Sequence, residues 1–297
     1  MKLIEIFNQI DQTPINECVI AYINLNNKNI LCKNRDRLYT PDIKIVHELL
    51  DSGIEICYIY DAITDYSEGM NSNGLAIVNS ALLVKDDEKA GKDKSIDVTK
   101  INPDNTETGI TGYDGLKIRT ALSSKTLKEA LRSIFLYKGK DKKDVGVKGF
   151  TMVSTPKNTY IIEATSKNLP IITKIQPNTK VAVRTNHGIH HPKAGYLEGP
   201  KRVSSLSRYD FSKKNLENND DENEILNILR KKYTNNFNNP YRRGGKKDMT
   251  TTSQLKMNSN DLTFNFRPDP NNSNFLGYEN KLPKGYQPKI KVNIQND

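Results

Sequence analysis

Three cysteines (Cys18, Cys32 and Cys57) and a tight histidine group (His187, His190 and His191) carry the sharpest side-chain chemistry in this sequence. A metal site needs Cys or His clustered at short spacing. The cysteines lie far apart, and no carboxylate pattern accompanies the histidines of TNHGIHHP, so no metal and no cofactor is expected. Nucleophilic chemistry at a cysteine fits better. Cys18 opens the strand-like run CVIAYINL directly after a polar segment ending Pro14-Ile-Asn-Glu17. Lys33-Asn-Arg-Asp36 ends the next run, and a hairpin between the two would bring basic and acidic side chains back beside Cys18. Arg184-Thr-Asn-His187 closes a strand with an amide at a loop, and Ser204-Ser-Leu-Ser-Arg-Tyr209 opens a helix with several polar groups and an arginine. Cys32 and Cys57 fall inside apolar strands and read as core. Cys32 is the rival nucleophile, because it adjoins the KNRD motif.

The order of these motifs resembles a family. A cysteine, a hairpin ending in an RNxD-like motif, a G-[MVI]-N-x-x-G-L turn, a T-N-[HS] motif and an S-S-x-x-R motif follow one another from about Cys18 to Arg267. The third is Gly69-Met-Asn-Ser-Asn-Gly-Leu75 here. The pattern is similar to the N-terminal nucleophile (Ntn) hydrolases of the penicillin V acylase and bile salt hydrolase type. It resembles more closely the acyl-coenzyme A:isopenicillin N acyltransferase branch, where T-N-H is usual. The resemblance makes Cys18 the nucleophile and matches the family's aspartate to Asp36, its T-N asparagine to Asn186 and its arginine after the double serine to Arg208. Lys33 stands where the family carries arginine. Lysine is a point charge that cannot grip a carboxylate bidentately, and Arg35 could partly substitute. Asn79 lies near the family's second oxyanion or substrate-contacting position.

Those residue types suit the implied chemistry. If the leader 1–17 is removed, the freed α-amino group of Cys18, with an ordinary pKa of about 7.7–8.0, is a general base near neutral pH. It takes the thiol proton within its own residue, so no histidine is required, and His187 is expected to be a structural neighbour of Asn186. Asp36 would orient the ammonium, Asn186 would donate to the oxyanion, and Arg208 would hold Asp36 or favour the thiolate.

These residues need elements to position them. A hairpin is predicted over 18–32 with the turn NNKN, then strands at 54–61 and 74–84. Residues 85–115 read as a long polar excursion. The clearest helix spans 124–137: Thr126 and Glu129 have capping-box spacing, and Leu127, Leu131, Ile134 and Phe135 share a face. A hairpin at 150–165, a strand at 180–186, helices at 203–211 and 222–233, and a hairpin at 250–267 follow. Residues 268–297, rich in Pro, Asn and Lys, read as a loosely docked polar tail. One catalytic domain over 18–267 is expected, of α+β class; the resemblance implies a four-layer αββα sandwich.

With 297 residues, 35% of them hydrophobic, the chain can bury a sizeable core. Three cysteines do not make a disulfide scaffold, no apolar run is long enough to cross a membrane, and no export signal is visible, so the cytoplasm is the default. The net charge of +10 invites a nucleic-acid reading. The lysines, however, are interspersed with Asp and Glu, and the one compact basic stretch, Tyr241 to Lys247, has a single aromatic. The expectation is therefore a cysteine amidohydrolase or acyltransferase working on a small-molecule linear acyl amide or acyl thioester through a thioester. A homo-oligomer is compatible with the sequence. The rivals are a non-catalytic binding protein of the same fold, which Lys33 favours, and a basic nucleic-acid-associated protein.

Overall fold

A computed structural model of the chain describes residues 16–82, 114–135, 147–165, 170–244 and 249–295. The first hairpin, β1 (Asn16–Leu25) and β2 (Lys28–Arg37), turns at Asn26 and Asn27. Both have positive φ, 52° and 62°. Asparagine tolerates this left-handed conformation, and a two-residue turn of that hand matches the twist of paired strands. β3 (Asp42–Leu49), β4 (Glu55–Asp61), β5 (Tyr66–Asn71) and β6 (Ala76–Ser80) follow as an antiparallel meander. Then come α1 (Asp114–Leu122), α2 (Leu127–Phe135), β7 (Gly149–Ser154), β8 (Thr159–Ala164), β9 (Ile171–Lys174) and β10 (Val181–Arg184). α3 (Gly199–Glu217), α4 (Ile225–Arg230), β11 (Thr250–Asn258), β12 (Thr263–Pro268), β13 (Asn274–Lys281) and β14 (Lys291–Ile294) complete the described elements.

The strands form a six-stranded sheet of order β10-β1-β2-β11-β12-β14 and an eight-stranded sheet of order β13-β3-β4-β5-β6-β7-β8-β9. Period-two alternation gives each sheet two apolar faces to cover. Ile20, Leu31, Leu255 and Phe266 of the first sheet pack against Ile43, Ile59, Val78 and Met152 of the second. On its far side the eight-stranded sheet packs Ile56, Ile77 and Val153 against Ile118 of α1 and Ile134 of α2. On its far side the six-stranded sheet packs Val19, Ala21 and Val183 against Leu216 of α3 and Leu229 of α4. The result is the expected αββα layering.

Local sequence accounts for many boundaries. In α2, Thr126 Oγ1 accepts from the Glu129 N–H at 3.2 Å and Glu129 Oε2 accepts from the Thr126 N–H at 3.1 Å, the reciprocal capping box its spacing predicts. Gly69 to Leu75, expected as one turn, is instead the end of β5 plus a tight turn. Asn71 Oδ1 accepts from the N–H of Asn73 and Leu75, and Gly74 takes φ +79° where a Cβ would lie 2.4 Å from Ser259 O. The strand expected over 74–84 is shorter, Ala76–Ser80. The helix expected over 203–211 is longer, because Pro200 pre-sets the first helical turn. The segment 222–233 is a 3-10 turn, Glu222–Glu224, running into α4. The polar excursion falls almost entirely on residues outside the described ones.

The C-terminal segment departs most from expectation. It is no loose tail: β13 pairs in parallel with β3 and β14 in parallel with β12, so it edges both sheets. Glu55 is the anchor. Buried on β4, it accepts from the N–H groups of Lys289 and Ile290, both at 2.8 Å, from Tyr286 OH and from His47 Nε2. Burial pushes this carboxyl up, but the two backbone donors and His47 outweigh it and hold it below its ordinary value. A chain ending at Lys281 loses β14 and three of the four donors to a buried carboxylate. Each charge-assisted bond of this kind is worth about 1.5–3 kcal/mol, so urea unfolding should show a loss of about 3 kcal/mol or more.

Candidate active site

Register on the first hairpin fixes what surrounds the thiol. Cys18 pairs with Arg35 and Glu17 with Asp36. Alternation then sends Cys18, Lys33, Arg35 and Arg37 toward the eight-stranded sheet, and Glu17, Asn34 and Asp36 toward the helices. Burying five charged residues on one hairpin end requires partners on both faces. On the thiol face, Arg37 Nη1 donates to Cys18 Sγ at 3.6 Å and to Asp36 O at 2.7 Å. Arg35 pairs with Asp61 at 2.7 Å, and Lys33 pairs with Glu68 and donates to Asn79 O at 2.6 Å. The Tyr66 ring lies 5.2–5.6 Å from all three cations. Burial works against the Arg37 charge, but Cys18, Tyr39 and Asp61 more than compensate and raise its pKa. A permanent cation therefore sits against the Cys18 sulfur, where it would favour a thiolate.

On the helix face four buried charges meet. Glu17 Oε2 is 2.7 Å from Arg242 Nη1 and 3.1 Å from Arg208 Nη2, and Tyr196 OH donates to Glu17 Oε1. Asp36 Oδ2 is 3.7 Å from Arg208 and 3.9 Å from Arg242, while its Oδ1 accepts from Thr251 Oγ1 at 2.7 Å. Burial pushes Glu17 up, but Arg242, Arg208 and the Tyr196 hydrogen bond win and leave it below the ordinary carboxylate value. Asp36 goes the other way. Its burial outweighs Arg242, Arg208 and Thr251, and the Glu17 charge pushes it up further.

The T-N-H and S-S-x-x-R segments lock together over this cluster. Ser205 Oγ accepts from the Asn186 N–H at 2.9 Å and contacts His187 Nδ1 at 3.0 Å. Ser204 Oγ accepts from Arg242 Nη2 at 2.9 Å. Arg208 reaches from α3 to donate to Asn186 Oδ1 at 2.9 Å and to Cys18 O at 3.4 Å. Asn186 Nδ2 donates to Ala81 O at 2.9 Å, with a longer 3.5 Å contact to Ser80 Oγ. Ser80 Oγ in turn faces two carbonyls, Thr185 O at 3.1 Å and Cys18 O at 3.3 Å. His187 has its pKa pushed down to about 4 by burial, with Arg202, Arg208 and Arg184 adding to it, so it is neutral near pH 7.

Of the residues the sequence singles out, Cys18, Asp36, Asn186 and Arg208 come together around the Glu17–Cys18 peptide. Lys33 and Asn79 do not join them. Lys33 is held by Glu68, and the Asn79 amide donates to Lys148 O and Thr151 Oγ1, with its neighbours Ser80 and Ala81 at the site instead. Cys32 and Cys57 are core residues; burial pushes Cys32 up to about 12 and Cys57 well above the ordinary thiol value. Sequence reasoning missed Arg37, Tyr66, Tyr196, Arg242 and Glu17 itself. Arg37 was accessible, since period-two alternation along KNRDR puts 33, 35 and 37 on the face of Cys18. Arg242 lay in the basic stretch weighed only for nucleic-acid binding, and it is buried. Among the described residues, no helix is long and apolar enough to cross a membrane.

Residues 24–263 match the sequence profile of the family described as acyl-coenzyme A:6-aminopenicillanic acid acyl-transferase. Comparison with curated proteins finds no match. Among solved structures, a penicillin V acylase from Agrobacterium tumefaciens is similar over 84% of each chain, with 13% identity and a TM-score of 0.45.

Two measurements probe the site. Brief iodoacetamide treatment of the folded protein, followed by peptide mapping, should label Cys18 in preference to Cys32 and Cys57, and Arg37→Gln should slow that labelling several-fold. For His187 the folded pKa is depressed, so the unfolded chain binds the extra proton first. Stability should fall as pH drops from about 6.5 toward about 4. His187→Gln, followed by thermal melts across that range, should flatten the dependence.

Proposed function

The chain belongs to the acyl-coenzyme A:6-aminopenicillanic acid acyl-transferase family, and from that premise we propose that it is a cysteine Ntn enzyme that cleaves or transfers the acyl group of a linear amide through a thioester on Cys18. The observation that carries this is the convergence of Asp36, Asn186 and Arg208 on the Glu17–Cys18 peptide, with Arg37 on the sulfur. Activation begins with the thiol. Sγ attacks the Glu17 carbonyl carbon, the C–N bond breaks, and the leader passes to sulfur as a thioester. Water hydrolyses that thioester, releasing the leader as an acid and leaving Cys18 with a free α-amine.

In turnover the amine accepts the thiol proton, and the thiolate attacks the substrate carbonyl. Asn186 Nδ2 spends one N–H on Ala81 O; its other, with only the long Ser80 contact, is the donor for the oxyanion. The amine leaving group departs with the proton held by the α-ammonium. Water then completes hydrolysis, or a second amine completes transfer; both draw on the same acyl-enzyme. Asp36 orients the ammonium, and Arg208 fixes both Asp36 and the Asn186 amide. The reading of a binding protein without catalysis draws on Lys33 at the family's arginine position. Against it, Arg37 supplies a guanidinium to the thiol.

Intact mass of the purified protein is expected to show a chain starting at Cys18, and Cys18→Ala a full-length one. A full-length wild-type chain that nevertheless turns over acyl amides would refute the mechanism. Asn186→Ala should lower kcat by about two to three orders of magnitude with little change in KM. Asp36→Asn should lower the maximal rate and also the α-amine pKa, because the carboxylate favours the ammonium. The basic-form limb of kcat/KM then moves to lower pH.

A further inference from the structure

The two carboxylates that share Arg208 and Arg242 have different fates. Asp36 belongs to the body of the chain; Glu17 leaves with the leader if cleavage occurs before Cys18. While Glu17 is present, two buried carboxylates face two buried guanidiniums. Once it has gone, Arg208 and Arg242 face Asp36 alone, and the freed α-amine adds a further cation whenever it is protonated. An uncompensated buried charge is strongly unfavourable. Arg208 Nη2, Arg242 Nη1 and Tyr196 OH, which converge on the Glu17 carboxylate, are all left without it. Two guanidiniums and a hydroxyl aimed at one point form a carboxylate receptor.

We propose that the space vacated by Glu17 is the carboxylate subsite of the substrate, and that the chain takes short dicarboxylic acyl groups of glutaryl length. This rests on the Cys18 reading above. The acyl side is indicated by Glu17 itself, which is the acyl component of the first thioester formed on Sγ. From its carbonyl carbon through Cα, Cβ and Cγ to its carboxylate, Glu17 has the skeleton of a glutaryl group. A substrate thioester forms on Sγ of the same residue, one side chain away from the Glu17 carbonyl position, and from there a glutaryl carboxylate turns to the helix-face donors that Glu17 occupies. The position of the Glu17 backbone nitrogen leaves room for a substituent on the α-carbon. In the reaction, the Cys18 thiolate takes the glutaryl carbonyl, the amine leaves with a proton, and water frees glutarate and restores the thiol.

The test uses the mature protein and p-nitroanilides of two five-carbon acyl groups, glutaryl and its neutral isostere 4-carbamoylbutanoyl. Glutaryl is expected to be turned over with at least tenfold higher kcat/KM, and Tyr196→Phe to narrow that ratio through KM. Free glutarate should also slow iodoacetamide alkylation of Cys18, whereas neutral glutaramide should not. This arm decides the matter even if neither anilide is turned over. Pentanoyl-glycine and pentanoyl-glycinamide distinguish a carboxylate on the amine. A preference for the former without an acyl preference overturns the proposal by moving the subsite to the leaving group. Equal rates for both acyl groups, or no protection by glutarate, overturn it while leaving a mature, alkylatable Cys18 and the nucleophile reading intact. A retained leader overturns both.

Discussion

Arg208 and Arg242 lie between the carboxylates of Glu17 and Asp36, all four groups out of reach of solvent. Taking an ion out of water costs several kcal/mol even after relaxation, and only close pairing with further hydrogen bonds offsets it. That demand dictates much of the surrounding architecture. Ser204 fixes Arg242, Thr251 fixes Asp36, Asn186 fixes Arg208, and Tyr196 fixes Glu17. The motif residues are therefore partners in one charge network spanning the β1–β2 hairpin, the loop after β10, α3 and the segment before β11. The network is also coupled. The Glu17 charge is one of the influences that push Asp36 up, so removing Glu17 relieves it and makes Asp36 a better counter-ion for an ammonium.

The hairpin separates two tasks by its pleat. The inter-sheet face carries the sulfur, Arg37 and the Tyr66 ring with its three cations; the helix face carries the carboxylates and their arginines. A one-residue slip between β1 and β2 would exchange the faces and dismantle both sets. The turn at Asn26 and Asn27 and the flanking β10 and β11 pairings hold that register. Lys33 in place of arginine fits this division, since Glu68 and the Asn79 carbonyl hold it and Arg37 approaches the sulfur four positions further along on the same face.

Where side chains report their surroundings directly, the sequence was readable. Cys18 at a strand start, the Asn-rich turn, the capping box at Thr126 and the T-N-H and S-S-x-x-R motifs all stand out by residue type and spacing. So did the α+β class, while the αββα layering came only from the family resemblance. The C-terminal strands went unread for different reasons: β13 is a mostly exposed edge strand with Phe275 and Leu276 adjacent, whereas the alternation of Ile290, Val292 and Ile294 running into β14 was present but short and set in a segment rich in Pro, Asn and Lys. β13 is held by pairing with β3, and the segment leading into β14 by Glu55, more than two hundred residues earlier in the chain. Arg242 was given no part in the site because an arginine's burial depends on distant carboxylates that local pattern does not reveal. Glu17 was passed over for a related reason: a residue in a dispensable-looking leader gives no hint that it fills a built site.

Assembly of this site has a timing built into it. Asp36 is held by Thr251, 215 residues further along, and the carbonyl of Arg35 by Thr252, 217 residues along. β11, which carries both threonines, is itself sandwiched between β2 and β12, and β12 leans on β14 near the end of the chain. A nascent chain still on the ribosome can close the β1–β2 hairpin early, since its contacts are local. It then holds Cys18 with Arg37 but none of Arg208, Arg242 or Thr251. The Cys18–Arg37 contact is thus made first and the carboxylate–arginine network last. Shorter translation products would carry the cysteine in an unassembled setting, and the proposed self-activation would be confined to molecules in which β11 has been made and paired, making maturation a check on folding of the distal half.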